Sequence, residues 1–569
     1  MKRLFAFFAV LAVLAPAAHA ARPAHNLVIF VPDGLRYDSV TPETGPTFLK
    51  IRREGVDFTN SHSVYPTLTT VNASVIATGH LPGDTGDYGN TLYFGTSIPC
   101  AGGASVTFLE NDCILRDVKA KFPRDYLAQT TLIEAARRAG MNTVIVGKQG
   151  PAAIQFLPAL DAKNEDVEDP LGIFIDDATG RKTGPDGLPA KSTGLGGVIA
   201  GEAFAATGTN AVPLASVPNE TQQAYERAVV SQVLIPRLKQ SGKPFVLLFW
   251  SRDPDTTQHG AMDSEGRLVP GINAITPHQG IYNADICLKN ILDALNLNGL
   301  ADTTDVIVAA DHGFSTIGHV IPAADGATEG LPLPVGFLAF DVAKWLGGNL
   351  YDPARANARI DPANGEHPQD GSALVGPSPD APKAVVVANG TADFIHLADG
   401  PQKRATAKML IAKLIDAPYT GALFVNDKLI QGRPEDFAGA LPMSEIGLIG
   451  SSKMPNPDIV VGFRTFDAKG CTLGTLLCAV EISDTGLHTG QGMHGSLGRA
   501  DTRNFMAAIG PDFKAGVRIA TPVGNADVAP TAAHLLGLSL AGPGRLKGRV
   551  VGEALKGGTL PKVTERTVA

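Results

Sequence analysis

Asn26-Leu-Val-Ile-Phe-Val-Pro-Asp33-Gly34 is the stretch that decides the fold class. Its apolar run is unbroken, which fits a strand buried on both faces rather than one alternating between core and water. The run stops at a carboxylate. Three further runs repeat the form: Thr143-Val-Ile-Val146 leads into Gly147-Lys148, and Phe245-Val-Leu-Leu-Phe-Trp250 leads into a segment holding Asp253, Asp255 and His259. The third, Val306-Ile-Val-Ala-Ala310, leads into Asp311-His312-Gly313. Helical periodicity separates them, over residues 127–139, 222–238 and 279–297. The alternation predicts an α/β fold, a doubly wound and mainly parallel sheet flanked by helices. Ligands of such sheets collect beyond the carboxyl ends of the strands, where these polar residues fall.

Further out, residues 159–215 and 352–385 are rich in Gly, Asp and Pro and read as long loops or cap elements on the active-site side. Strand-like runs follow at residues 383–388, 392–397 and 458–462. A core pattern returns with a strand over 504–510 and a helix over 526–537. The expected organisation is a single catalytic domain over residues 24–569, with insertions at about 159–215 and 320–490. Ahead of it, Lys2 and Arg3, an apolar run from Leu4 to Leu14 and Ala18-His19-Ala20 form the pattern of a secretory signal peptide over residues 1–20. Export to the periplasm or medium follows as an expectation, with no membrane span in the mature form.

A net charge of −8 and the absence of a basic run give no support for a broad nucleic-acid-binding surface, and leave room for a small phosphorylated ligand. The five cysteines form no CxxC. In an oxidising compartment, Cys100 with Cys113 and Cys471 with Cys478 are expected to close two short loops. Cys287 lies in the helical stripe of Ala284, Leu288, Ile291 and Leu295 and reads as a buried thiol. Nothing in the sequence bears on oligomeric state.

Asp255-Thr-Thr-Gln-His259 sets a carboxylate and an imidazole four residues apart, so on a helix both point from one face and can share a metal ion. Asp311-His312 is an adjacent pair at a strand end. Asp33 sits where the first strand stops, and His494 lies in the glycine-bracketed Gly-Met-His494-Gly. Singly, each has a structural reading as helix cap, turn or surface pair. Together, in this order and on strand ends, they point to a metal centre. Three imidazoles among the ligands favour zinc over magnesium.

The segment Val64-Tyr-Pro-Thr-Leu-Thr-Thr-Val-Asn-Ala-Ser-Val-Ile-Ala-Thr-Gly79 resembles the nucleophile segment of the type I phosphodiesterase/nucleotide pyrophosphatase family, in the alkaline phosphatase superfamily. There, Tyr-Pro-Thr-x-Thr precedes a helix ending in Thr-Gly, and the second threonine is the nucleophile. The resemblance places it on Thr69, with Thr70 the rival, and makes Asn90 a phosphoryl contact. It implies an alkaline-phosphatase-like fold and two Zn2+ per chain. One would be held by Asp33, Asp311 and His312 with Thr69, the other by Asp255, His259 and His494. It further implies hydrolysis of a small phosphorylated substrate, ester or nucleotide-like, through a phospho-threonine intermediate. One departure is that the family's Pro-Asn-His after the nucleophile is Val71-Asn72-Ala73 here.

Lys148 runs off a strand toward the same place and is expected to reach a phosphoryl oxygen. Threonine-type phosphomonoesterases of the superfamily carry a Lys-x-Arg element in a comparable position. Lys148-Gln149-Gly150 lacks the arginine, which weakens the preference for a dianionic monoester and favours a diester. The alternatives are an alkaline phosphomonoesterase or phosphonoacetate-type hydrolase on the same metals and, from another class, a non-catalytic binder of phosphorylated ligands. An arylsulfatase would need a Cys/Ser-x-Pro-x-Arg segment, which is missing.

Overall fold

The computed structural model describes residues 25–157, 172–177, 199–209, 211–321, 330–474 and 476–564. The signal-peptide pattern lies outside them, as does most of the stretch 159–198.

Eight strands form the main sheet in the spatial order Val517–Ile519, Val56–Phe58, Met506–Ile509, Thr304–Ala309, Asn26–Pro32, Phe245–Ser251, Asn142–Gly147 and Gly172–Asp176. Asn26–Pro32 is central and runs parallel to both neighbours. Met506–Ile509 alone among the described strands of this sheet is antiparallel to its neighbours. Both faces are covered, as the unbroken apolar runs require. Leu27, Ile29 and Val31 enter one core with the helices Thr69–Thr78, Leu132–Arg138, Pro151–Phe156 and Val528–Leu536. Val28 and Phe30 enter the other, with Pro46–Glu54, Glu220–Val229 and Ile275–Leu297. Cys287 is buried in that second core with its Sγ 3.0 Å from Gln223 Oε1. The disulfides Cys100–Cys113 and Cys471–Cys478 are both present.

Several stretches differ from their sequence reading. Within the stretch read as long loop or cap at 159–215, Gly172–Asp176 is an edge strand of the main sheet and Ile199–Thr207 is a helix. Within 352–385, read the same way, Ala358–Ile360 and Ala373–Gly376 are strands. For the strands, pairing to a neighbour overrides weak local periodicity. The helix expected from residue 127 starts at Leu132, because Leu127 has a left-handed φ of 46° and Thr131 caps the Glu134 N–H at 3.1 Å. The helix over 222–238 is broken by a π turn at Val230–Leu234, just ahead of Pro236, which has no N–H to continue the ladder.

Strands between Asn349 and Phe463 build a second eight-stranded sheet, almost wholly antiparallel. Val385, Val387, Phe394, Phe424 and Val460 on one face join the core that holds the helix Thr69–Thr78. Val386, Ile395 and Val461 on the other pack under the helices Phe337–Leu346 and Lys403–Ile415. The second sheet thus rests on the body through a shared apolar core.

Candidate metal centre and nucleophile

Three adjacent strands of the main sheet deliver five of the expected ligands. Asp33 follows Asn26–Pro32, Asp311 and His312 follow Thr304–Ala309, and Asp255 and His259 lie on the short helix Asp255–Gly260 just after Phe245–Ser251. Gly34 lets the first turn close: its φ is +70°, and a Cβ there would lie 2.8 Å from the Phe314 ring. His494 follows Gly492–Met493, a short strand paired with Ser315–Gly318, so residues far apart in sequence meet at one edge. Gly495, with φ +121°, would crowd Thr391 and Leu68 if it carried a side chain.

The ligand atoms of Asp33, Asp311 and His312 lie within 4.8 Å of one another, and so do those of Asp255, His259 and His494. Each imidazole is oriented by a backbone carbonyl at Nδ1: Gly313 for His312 at 2.9 Å, Gly492 for His259 at 2.8 Å and Thr67 for His494 at 2.8 Å. All three Nε2 atoms therefore face inward, within 3.2–3.5 Å of Asp33, Asp311 or Asp255. Asp33 Oδ1, Asp255 Oδ1 and Asp311 Oδ2 are buried and have no hydrogen-bond partner. Orphaned buried carboxylate oxygens are costly unless a cation completes them. The donor set, carboxylates beside oriented imidazoles, fits a pair of divalent transition-metal ions.

Electrostatics follow the same geometry. Burial, then Asp255 and Asp311, push the Asp33 carboxyl well above its ordinary range, and burial pushes Asp311 up to about 7. Burial would raise Asp255 too, but Lys148 and His259 outweigh it and hold Asp255 well below the carboxylate range. Burial, joined by His312, holds His494 well down, and burial lowers His312, so both favour the neutral ring that ligates metals. His259 is the exception, raised by Asp255 against its burial.

The two candidate nucleophiles separate cleanly. Thr69 is the first residue of the helix Thr69–Thr78, and its Oγ1 lies 3.2 Å from His312 Nε2. The Thr70 hydroxyl instead donates to Asp87 Oδ1 at 3.0 Å and to the Gly89 carbonyl at 3.2 Å. Asn90 accepts the Thr70 N–H at 2.9 Å and donates to Glu110 Oε1 at 3.2 Å, so its amide stands beside the helix start. Lys148 is in the cluster, but its ammonium is ringed by carboxylates: Asp33 Oδ2 and Asp255 Oδ2 at 3.0 Å and Glu110 Oε2 at 3.2 Å. Its nearest partners are two candidate metal ligands and Glu110.

Two residues escaped the sequence reading. Trp250 donates its indole N–H to Asp33 Oδ2 at 2.8 Å. A buried indole at the end of a core strand usually finds an acceptor, so the signal was there. Glu110 joins Asn90 to Lys148 and carries no local signature.

Two carboxylate–imidazole groups able to hold metal ions, beyond the strand ends of a mainly parallel sheet flanked by helices, fit a metal-dependent hydrolase. The model of one family, the type I phosphodiesterase / nucleotide pyrophosphatase family, matches residues 27–370, and the chain belongs to it. Among solved structures it is similar to murine ectonucleotide pyrophosphatase / phosphodiesterase 5, at 15% identity over 93% of this chain and 100% of that one, with a TM-score of 0.50. The human counterpart is 14% identical over 93% of this chain and 99% of that one, with a TM-score of 0.51. At these identities the likeness concerns the fold. No curated protein matches the chain.

Proposed function

We propose that the chain hydrolyses small phosphoric diesters or nucleotide-like pyrophosphates, using two zinc ions and a phospho-threonine intermediate on Thr69. The observation that carries this reading is the placement of Thr69 Oγ1 beside His312 while the Thr70 hydroxyl is turned away onto Asp87. Asp33, Asp311 and His312 would hold one ion next to Thr69, and Asp255, His259 and His494 the other. Bound there, zinc would supply Lewis acidity that stabilises the threonine alkoxide and the charge developing on the phosphoryl and leaving oxygens.

The rest falls to the chain. Helix packing holds Thr69 Oγ1 in place, since its neighbours in Thr69–Thr78 are all buried. Its backbone N–H, in the first helical turn, has no intrahelical acceptor and faces the anion site that a helix start provides. With the Asn90 amide it forms a donor pair for the phosphoryl oxygens as negative charge builds. Thr69 Oγ1 attacks phosphorus, the bond to the leaving oxygen breaks, and water then cleaves the P–O bond to Thr69 and restores the hydroxyl. Lys148 acts by holding Asp33 and Asp255 in place. That leaves no free cation from Lys148 for the extra charge of a monoester, which favours the diester reading.

The signal-peptide pattern and the two disulfides support export to the periplasm or medium. Among the described residues, no helix is long and apolar enough to cross a membrane.

The test is a pair of variants assayed on nitrophenyl mono- and diesters with zinc quantified. Thr69→Ala should lose at least about a thousandfold in kcat while keeping its zinc, because the six Asp and His ligands remain. Thr70→Ala should keep most of the activity. An inactive Thr70→Ala beside an active Thr69→Ala would move the nucleophile by one residue, and a single zinc per chain after reconstitution would remove the two-ion reading.

A further inference from the structure

At the opposite end of the main sheet from the reaction centre, three more ligand-type side chains converge. His25 stands directly before Asn26–Pro32, and Asp305 is the second residue of Thr304–Ala309. Asp512 follows Met506–Ile509, whose reversed direction brings its end to the same edge. Their ligand atoms lie within 4.8 Å of one another.

The spacing is that of the catalytic groups. His25 Nδ1 is 3.5 Å from Asp512 Oδ2, long for a direct hydrogen bond. The corresponding separations in the catalytic groups are 3.2 Å for His312–Asp311, 3.4 Å for His312–Asp33 and 3.5 Å for His494–Asp255. Donors placed about 2.0–2.1 Å from a tetrahedral ion stand about 3.4 Å apart.

The oxygens also lack partners in the way those of the catalytic groups do. Asp305 is 1% exposed, and its Oδ1 accepts the Asp512 N–H at 3.1 Å. Its Oδ2, Asp512 Oδ2 and His25 Nδ1 are buried atoms without a hydrogen-bond partner. Two ionised carboxylate oxygens are both acceptors and cannot satisfy each other. Lys556, whose charge reaches Asp305, has its ammonium on the Pro511 carbonyl. The loop that wraps Asp305 is built close: Gly510 has φ +149°, and a Cβ there would come within 2.3 Å of Asp305 Oδ1.

We propose that His25, Asp305 and Asp512 bind a third divalent ion, of the zinc class, which clamps the start of the first strand to two neighbouring strands and takes no part in the reaction. One imidazole with two carboxylates suits zinc better than magnesium or calcium, and water completes the shell.

The test compares the full-length protein with His25→Ala and Asp512→Asn after zinc reconstitution, reading zinc per chain, Tm and nitrophenyl-ester turnover. Each variant should hold one zinc fewer than the wild type. Turnover should stay within about twofold, since the site is remote from the reaction centre. In excess zinc Tm should fall by about 2 °C, and in chelator the variants should match the wild type. Equal zinc counts, or a Tm deficit that persists in chelator, would overturn the proposal and leave a His25–Asp512 ion pair. The readout is a difference of one ion, so it holds whether or not the catalytic groups bind zinc.

Discussion

Thr69 and Thr70 are neighbours in sequence, yet only one hydroxyl points at the ligand cluster. On a helix, successive side chains are turned by about 100°. When Thr69 faces His312, Thr70 must therefore face Asp87. The same scale bears on Lys148. Its side chain is 3% exposed and its ammonium is bound to three carboxylates, two of them candidate metal ligands. Lys148→Met should destabilise the metal-free protein by about 3–5 kcal/mol, because it leaves buried carboxylates unpaired. In excess zinc the loss should be smaller. Denaturation of the variant with and without chelator measures both. Turnover should fall by similar factors on mono- and diesters, because Lys148 acts through Asp33 and Asp255. A loss confined to monoesters would place Lys148 on the substrate.

The helix Thr69–Thr78 shows what an element contributes. Thr69–Thr78 has no side-chain N-cap, and its entry is positioned by Asn72 from within. Asn72 Oδ1 accepts the Val64 N–H at 2.8 Å and the Asn525 amide at 2.9 Å. Its Nδ2 donates to the carbonyls of Val64 at 3.0 Å and Leu68 at 3.1 Å. One buried amide therefore ties the loop before Thr69 to its helix. Asn72→Ala should cost about 2–4 kcal/mol, since several buried polar groups lose partners at once. It should also lower kcat without removing zinc, because the ligands stay while the nucleophile shifts. A variant with the wild-type Tm and turnover would show that the loop is positioned by something else. In the sequence, Asn72 was visible only as one letter of a motif whose neighbours differ from the family's. Three of its four hydrogen bonds stay within eight residues, but the fourth reaches Asn525, 453 positions away, which no local pattern encodes.

At the scale of the whole molecule, the ligands run from Asp33 to His494, so metal binding joins distant segments. Chelation should abolish turnover and lower Tm, and zinc should restore both, because ions that bind the folded chain stabilise it by linkage. A Tm indifferent to chelator would contradict this. Where the second sheet meets the small sheet that carries His494, Asp393 and Asp484 face each other. Burial, then Asp484, push Asp393 well above its ordinary range, and burial pushes Asp484 up to about 6. Unfolded carboxyls ionise near pH 4 (about 3.9 for Asp), so both groups keep more protons in the folded state. Their contribution is fully present below about pH 4 and is lost as pH rises through about 6 and beyond. Asp393→Asn removes one facing charge. The variant should have a higher Tm than the wild type at pH 8, and the gap should close toward pH 4. Parallel Tm–pH curves would rule out this pair as the source.

The sequence by itself determined the fold class and pointed to the six Asp and His side chains that the structure gathers into two groups. A strand buried on both faces must be apolar throughout, so Asn26–Pro32 and its neighbours announce themselves, and the candidate ligands sit at their carboxyl ends where such a sheet leaves space. Only the tertiary structure decided the rest. Gly172–Asp176 became a strand because an edge was open for pairing, not because its own periodicity demanded it. Lys148 became a partner of Asp33 and Asp255 rather than a free cation, because those carboxylates converge on it from different strands. His25, Asp305 and Asp512 meet because one antiparallel strand reverses direction beside two parallel ones. Contacts of that kind depend on strand order and direction, which are properties of the assembled sheet and of no single segment.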